Sequence, residues 1–521
     1  MADSPAHAER ADSTEPRYYA HTALGSIHRS LAIQEWHKYQ TIHLSFDGLE
    51  RALAAFDMFV IHEEEEDMDE IQLLLDKFAA QFRKGQPAFD DMTPRQKALA
   101  LLQWVRAQNL TGMADPETNY RNIRNCLLGQ ALTDPEHPSL PIISAAIYCS
   151  LAKRIGLDAS CCAFPTHVHT AVRGRSGVTL DGKVPAAAAD EADKMYLDPY
   201  GSSDEVGVSE LRVRLVELGW NTTGGGHFFL SPSPTALIVQ RTAQNLKASW
   251  SRARELMMAP GSAAALDELK RLRSGDPELN LEAVLYSAMW AGLLVTPASS
   301  HHWDEILESF LGRFVQNFSE DAWIVEKWLM PLYDNFVRNH PRGRFRFGWQ
   351  DARATLGMVH NLDARAPTVN RRYTQDICAK VRYRIGQVFR HRRYGYVGII
   401  NGWAPDDTNG LPTPHNMSMD ETVDASGSDS EPVAPKRKGK RQTYYTCLWV
   451  SLPPAASASL TRFARKSGVD RHVVSQDNME IITNPDLIPD TLFFLAGKFF
   501  KRFERETCSF VSNIREFFPD D

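Results

Sequence analysis

No apolar run in this 521-residue chain reaches the ~18 to 20 residues that a membrane-spanning helix needs, so nothing supports a membrane partner. The N-terminus, MADSPAHAERADSTEPRYY, lacks the apolar core of a secretion signal. Cysteine is scarce: seven residues, an odd number, with no Cys-x-x-Cys pair, which fits neither a disulfide framework nor a zinc site of that spacing. Net basic charge is also missing. At -7 the chain makes no global case for nucleic acid, and any such case has to be local. These absences predict an intracellular, soluble protein of the cytoplasm, the nucleus or both, with reduced thiols, no cofactor and no metal. What is present, 43% hydrophobic residues with 10% aromatic, supports sizeable cores, and the length suggests about three domains.

Composition divides the chain further. Residues 1–17 read as a disordered tail and 18–118 as helical, with amphipathic runs in GLERALAAFDMFV, MDEIQLLLDKFAAQFRK and TPRQKALALLQWVRAQ. Thr93 before Pro94 predicts a capped helix start. The acidic run from Glu63 to Asp67 reads as a solvated connection. Residues 119–235 form a mixed core whose last part, from 204, is irregular, with NTTGGGHFFLSPSP as a loop. Residues 236–370 return to helical patterning. Adjacent His301 and His302 cannot share one helical face as metal ligands would, and they predict a polar helix start instead.

The mixed core holds the most informative stretch, HPSLPIISAAIYCSLAKRIG. Ile143, Ala146, Ile147, Leu151 and Ile155 follow a helical period, Pro141 suits the first turn, and Gly156 suits the stop. After it come FPTHVH, with His167 and His169, and the short strand MYLDP ending at Asp198. Cys161 and Cys162 lie on a strand leading to His167, where alternation sends one side chain into a core and the other away from it. Neither they nor Cys149 occupies a helix opening, where a backbone dipole would activate a thiol.

The block built from YRNIRNCLLGQAL, LPIISAAIY, IGLDASCCAFPTHVHTAV and YLDPYG resembles the second transglutaminase-like core family, which includes SirB1-like proteins and a family of F-box proteins. The resemblance implies a papain-like fold with a Cys, His, Asp chain order. It places the family histidine at His167, the aspartate at Asp198 and the nucleophile position at Pro141. Without a sulfur for the imidazole to activate, those two residues cannot run acyl transfer, so the resemblance implies a pseudoenzyme core with no catalytic residue. The competing enzyme reading is a thiol hydrolase or acyl transferase using Cys161 or Cys162 with His167 and Asp198.

Beyond Val381 the pattern changes. RYRIGQVFRHRRYGYVGIINGW alternates apolar and polar residues around Gly386, Gly395, Gly398 and Gly402, and YYTCLWV and RHVVSQDNMEII add strands, which together predict a small β-barrel. These strands, with LAGKFFKRFERETCSFVSNIREFFPDD, resemble the YccV-like or HspQ-like hemimethylated DNA-binding domain over 381–521. An insertion, 405–442, has a composition that does not fold alone. Its basic half places Lys436, Arg437, Lys438, Lys440 and Arg441 as a nuclear-import or phosphate-binding run, beside an acidic half in which Ser426, Ser428 and Ser430 are phosphorylation candidates.

Arg390, Arg392, Arg393 and Tyr394 are the nucleic-acid candidates of the barrel, and Trp403, Tyr444, Tyr445 and Trp449 the candidate lining of a protein groove. The combined expectation is an α+β multidomain fold: helical N-terminal region, transglutaminase-like core, helical middle and small C-terminal barrel. This arrangement resembles the F-box protein family, although no F-box pattern lies upstream of Tyr18. It implies a non-catalytic recognition protein, a substrate receptor of an SCF-type ubiquitin ligase, whose partners are a protein substrate or ligase components. DNA binding through the barrel is the alternative.

Overall fold

The computed structural model describes residues 13–40, 44–60, 68–162, 164–174, 179–183, 193–220, 226–258, 263–273, 279–298, 300–339, 351–366, 368–372, 375–404, 443–450 and 472–521. The acidic run and the 405–442 insertion, with its basic cluster and serines, lie outside the described residues. The chain folds as two units, one of residues 23–364 and one joining residues 1–22 to 365–521.

In the larger unit the helix Pro141–Arg154 is apolar all round, and every residue from Pro141 to Ala152 is buried, as befits a helix with partners on all sides. Neighbouring helices include Leu49–Val60, Met68–Lys84 and Pro94–Ala107. The last of these starts on the expected cap: Thr93 accepts from the Gln96 amide while the Gln96 side chain accepts from the Thr93 amide. Against this layer lies an antiparallel sheet, β1 (Asp158–Cys162), β2 (His169–Arg173), β3 (Lys194–Leu197) and β4 (Glu205–Val206), in sequential order.

The helices Thr235–Met258, Leu281–Val295 and His301–Asn317 complete the unit, and Ser300 caps the last of them just ahead of His301 and His302. One hydrophobic cluster runs from Ala32 to Val359. The segments that composition separates at 118 and 235 therefore share a core, because each helix pattern shows an apolar face without showing which element covers it. The stretch from 204 to 235 is not irregular throughout. It contains the helices Val208–Glu217 and Gly226–Leu230, the first burying Leu211 and Leu215 at a four-residue spacing.

The smaller unit contains β5 (Val388–His391), β6 (Val397–Ala404), β7 (Tyr444–Val450), β8 (His472–Ser475) and β9 (Met479–Ile481), with order β8-β7-β6-β5-β9. In a flat sheet the two edge strands would stand about 19 Å apart, four strand spacings. Here they are joined by only three residues, Gln476–Asn478, in a 3-10 turn that spans at most about 10 Å. The sheet is therefore strongly curled, with its two edge strands brought close together, in keeping with the expected small barrel. A hairpin of β10 (Phe500–Glu504) and β11 (Ser509–Ser512) adds to it.

Residues 1–12 of the expected 1–17 tail lie outside the described residues, and residues 13–17 are ordered. Ser13 bridges Arg502, the Thr14 amide donates to the Lys501 carbonyl, and a helix begins at Glu15. Backbone hydrogen bonding to β10 gives a polar segment an ordered place that its composition does not reveal.

Candidate functional site

The first candidate site surrounds the opening of the helix Pro141–Arg154. Pro141 occupies the first helical position, buried, with nothing nucleophilic on its ring. The flanking hydroxyls are already engaged: Ser139 Oγ and Ser144 Oγ are 2.6 Å apart, and Ser144 Oγ accepts from the Gly112 amide at 3.0 Å.

His167 is presented by a turn in which Thr166 takes a left-handed φ of 64°. Its Nε2 lies 2.9 Å from Asp198 Oδ1. Asp198 sits just past β3, where its Oδ1 also accepts from the Tyr200 and Gly201 amides, each at 3.2 Å. Burial alone would raise this carboxyl, but the hydrogen bond and charge of His167, with help from His169 and the Gly201 amide, hold it below its ordinary value. Tyr200 packs near-perpendicular to the His167 ring, and Arg106 fixes its position by donating to the Tyr200 carbonyl at 2.6 Å. Gly112 is required here: at φ 93° a Cβ would stand 2.5 Å from Arg106 Nη1.

His169, two residues on in β2, is 1% exposed and its ring centroid is 4.8 Å from that of His167. Neither ring nitrogen completes a hydrogen bond, an arrangement that costs about 1–3 kcal/mol for a buried polar group. Burial, then the neighbouring His167, pushes its pKa down to about 4, while Asp198 and a weak approach to the Leu197 backbone act the other way. His167, His169 and Asp198 bring one potential ligand atom each to within 4.8 Å of one another. The expectation of no metal rested on cysteine spacing and on His301 and His302, and neither feature bears on this cluster. The available signal was the i, i+2 spacing of His167 and His169 ahead of an aspartate strand.

The thiols take no part in this cluster's geometry. Cys161 and Cys162 both face apolar clusters, on opposite sides of β1, so both are buried where one was expected to point outward. Burial pushes Cys162 up to about 12, and the Cys149 thiol, 3.7 Å from Cys161, together with burial drives Cys161 well above its ordinary range. Both shifts disfavour the thiolate, the form that a thiol hydrolase uses as its nucleophile.

The second candidate site lies on the barrel. His391 ends β5, and its Nδ1 accepts from the amides of Arg393 and Tyr394 at 3.2 and 3.1 Å, closing the turn to β6. Arg390, Arg392 and Arg393 are exposed, and none forms an ion pair with an acid among the described residues. Tyr394 and Tyr396 pack on His391 at 4.7 and 4.8 Å, and Trp449 continues the stack 4.9 Å from Tyr396. Tyr394 and Trp449 remain half-buried at its ends.

The proposed protein groove does not assemble. Trp403 is 5% exposed and donates to Asp521 Oδ2, and Tyr445 is fully buried, with its hydroxyl shared between the Tyr383 amide and Gln476. Both are core residues, while Tyr444 and Trp449 are half-buried. An alternating strand places every second aromatic on the inner face of a curled sheet, and the pattern does not reveal which face that is.

Comparison with known families agrees with this division. Residues 69–244 match the transglutaminase-like superfamily, opening in the helix Met68–Lys84 and not near 119. Residues 381–507 match the hemimethylated DNA-binding protein YccV-like family. No curated protein and no solved structure matches the chain. Among the described residues no helix is long and apolar enough to cross a membrane. The chain thus carries a transglutaminase-like domain followed by a C-terminal YccV-like domain of the hemimethylated DNA-binding type.

Proposed function

We propose that this protein is a non-catalytic recognition protein whose contact surface is the β5–β6 hairpin of the YccV-like domain and whose ligand is duplex DNA. The observation that carries the reading is the placement of Arg390, Arg392 and Arg393: exposed, without an acidic partner among the described residues, and beside the half-buried rings of Tyr394 and Trp449. Three guanidinium groups, Arg390 near the end of β5 and Arg392 and Arg393 in the turn after it, suit phosphate oxygens, and the rings offer stacking faces. The transglutaminase-like core then serves as scaffold and pocket. Pro141 at the nucleophile position and the burial of the thiols, which raises their pKa, support a pseudoenzyme core.

The test is fluorescence anisotropy of the full chain with hemimethylated, unmethylated and fully methylated duplexes across a salt series. If Arg392 and Arg393 each neutralise one phosphate, the double variant Arg392→Gln/Arg393→Gln lowers the slope of log K against log salt by about 1.8. An unchanged slope, or no binding by the parent at low salt, ends the DNA reading.

The occurrence of both domains in one chain, in this order, supports a second reading as substrate receptor of an SCF-type ubiquitin ligase. Direct titration with the purified ligase adaptor decides it, and no binding at micromolar adaptor removes it.

A further inference from the structure

We propose that His167, His169 and Asp198 hold a divalent first-row metal ion, with zinc the best fit, through two imidazole nitrogens and one carboxylate oxygen. Nothing in the transglutaminase-like resemblance assigns such a role, and His169 lies outside its Cys, His, Asp pattern.

Three independent features of the site point to a cation. The first is His169. It is 1% exposed, with neither ring nitrogen hydrogen bonded, so an imidazole lone pair is available in a place water reaches poorly. Buried polar groups are nearly always satisfied, and an orphaned one beside other ligand types calls for a partner of its own.

The second is the donor set. Two imidazoles and a carboxylate, with ligand atoms within 4.8 Å of one another, match the three-ligand arrangement that leaves a position open at zinc sites. Ligand bonds of about 2.0 to 2.2 Å place donor atoms roughly 3.3 Å apart around a tetrahedral ion. His167 Nε2 and Asp198 Oδ1 lie 2.9 Å apart in a hydrogen bond, which a bound ion would replace. The wider separations, none above 4.8 Å, would have to close by side-chain rotation.

The third is the support behind the ligands. Asp198 is oriented by the Tyr200 and Gly201 amides, and its Oδ2 has no hydrogen-bond partner among the described residues. The Arg106 contact to the Tyr200 carbonyl stiffens that turn in its folded position. His167 is held by a turn at a left-handed Thr166, which fixes where its ring projects. Partners of this kind orient ligands and tune affinity at known metal sites. The mixed nitrogen and oxygen set disfavours calcium or magnesium, which take oxygen ligands, and the absence of a thiolate from the set disfavours copper(I).

The experiment uses the full chain, stripped with a chelator and titrated with Co2+ as a spectroscopic probe and with Zn2+ by calorimetry. The expected result is one ion per chain, with the visible ligand-field bands of a four-coordinate cobalt ion and no thiolate charge-transfer band. Asp198→Asn and His169→Phe weaken binding about 100-fold or more, since even loss of a residue that only supports a ligand costs 10–100-fold. His302→Ala, at an exposed histidine on another helix, leaves it unchanged. Circular dichroism checks that each variant is folded, and Asp198→Asn, nearly isosteric, keeps the test valid should His169→Phe unfold. Absence of stoichiometric binding, a thiolate band, or bands that persist in Asp198→Asn would overturn the proposal. None of these outcomes depends on DNA binding by the barrel.

Discussion

Acidification should loosen the β5–β6 hairpin through one residue, His391. Its Nδ1 accepts two backbone amides, Arg393 and Tyr394, so the ring is neutral with its proton on Nε2. In an unfolded chain this imidazole titrates near 6.5, whereas in the barrel burial, followed by the Arg393 charge, pushes it down to about 4. Between those values the folded state binds fewer protons than the unfolded state, so this contribution to stability is present above pH 6.5 and lost as the pH falls toward 4. Full linkage gives a loss of about 1.4 kcal/mol at pH 5.5 and about 2.6 kcal/mol at pH 4.5, and solvent screening reduces these to roughly 0.7 and 1.3 kcal/mol.

The assay is amide hydrogen exchange across 391–396 in the full chain, corrected for the intrinsic pH dependence. Protection should fall about threefold at pH 5.5 and about tenfold at pH 4.5. His391→Asn keeps an acceptor oxygen near the Nδ1 position and cannot protonate, so its profile should be flat. Constant protection down to pH 4.5 in the parent, or an equal decline in the variant, would refute the reasoning.

Two further outcomes are expected. Gly386→Ala should destabilise the barrel by about 2–4 kcal/mol, since φ is 88° there and a Cβ would lie 1.9 Å from the Phe510 carbonyl oxygen. Limited proteolysis of the full chain reads this out, and a variant as resistant as the parent would show that the backbone can yield. In native alkylation at neutral pH, Cys378, the exposed cysteine, should react first, with the six buried thiols following only on denaturation. Rapid native labelling of Cys161 or Cys162 would restore the thiol-enzyme reading.

Features that depend on neighbours in sequence are legible in the amino-acid sequence alone. The Thr93 cap, the helix opening at Pro141, the polar start at His301 and His302, and the short strands around Gly386 and Gly395 each follow from dihedral preference or side-chain period over a few residues. The pairing of His167 with Asp198 is also legible, through the family resemblance.

Only tertiary structure decided the rest. Periodicity marks a face to be covered but carries no address for what covers it, so three helical and mixed segments merged into one core and Ser13 joined β10 from the far end of the chain. Alternation gave Trp403, Tyr445 and Trp449 similar standing until curling of the sheet buried the first two and left the third half-exposed. His169 read as an ordinary strand residue, and it became the orphaned member of a three-residue cluster because β2 and β3 pair in a register that sets it beside Asp198. Such contacts are set by where distant segments meet, which depends on the free energy of the whole fold and not on any local preference.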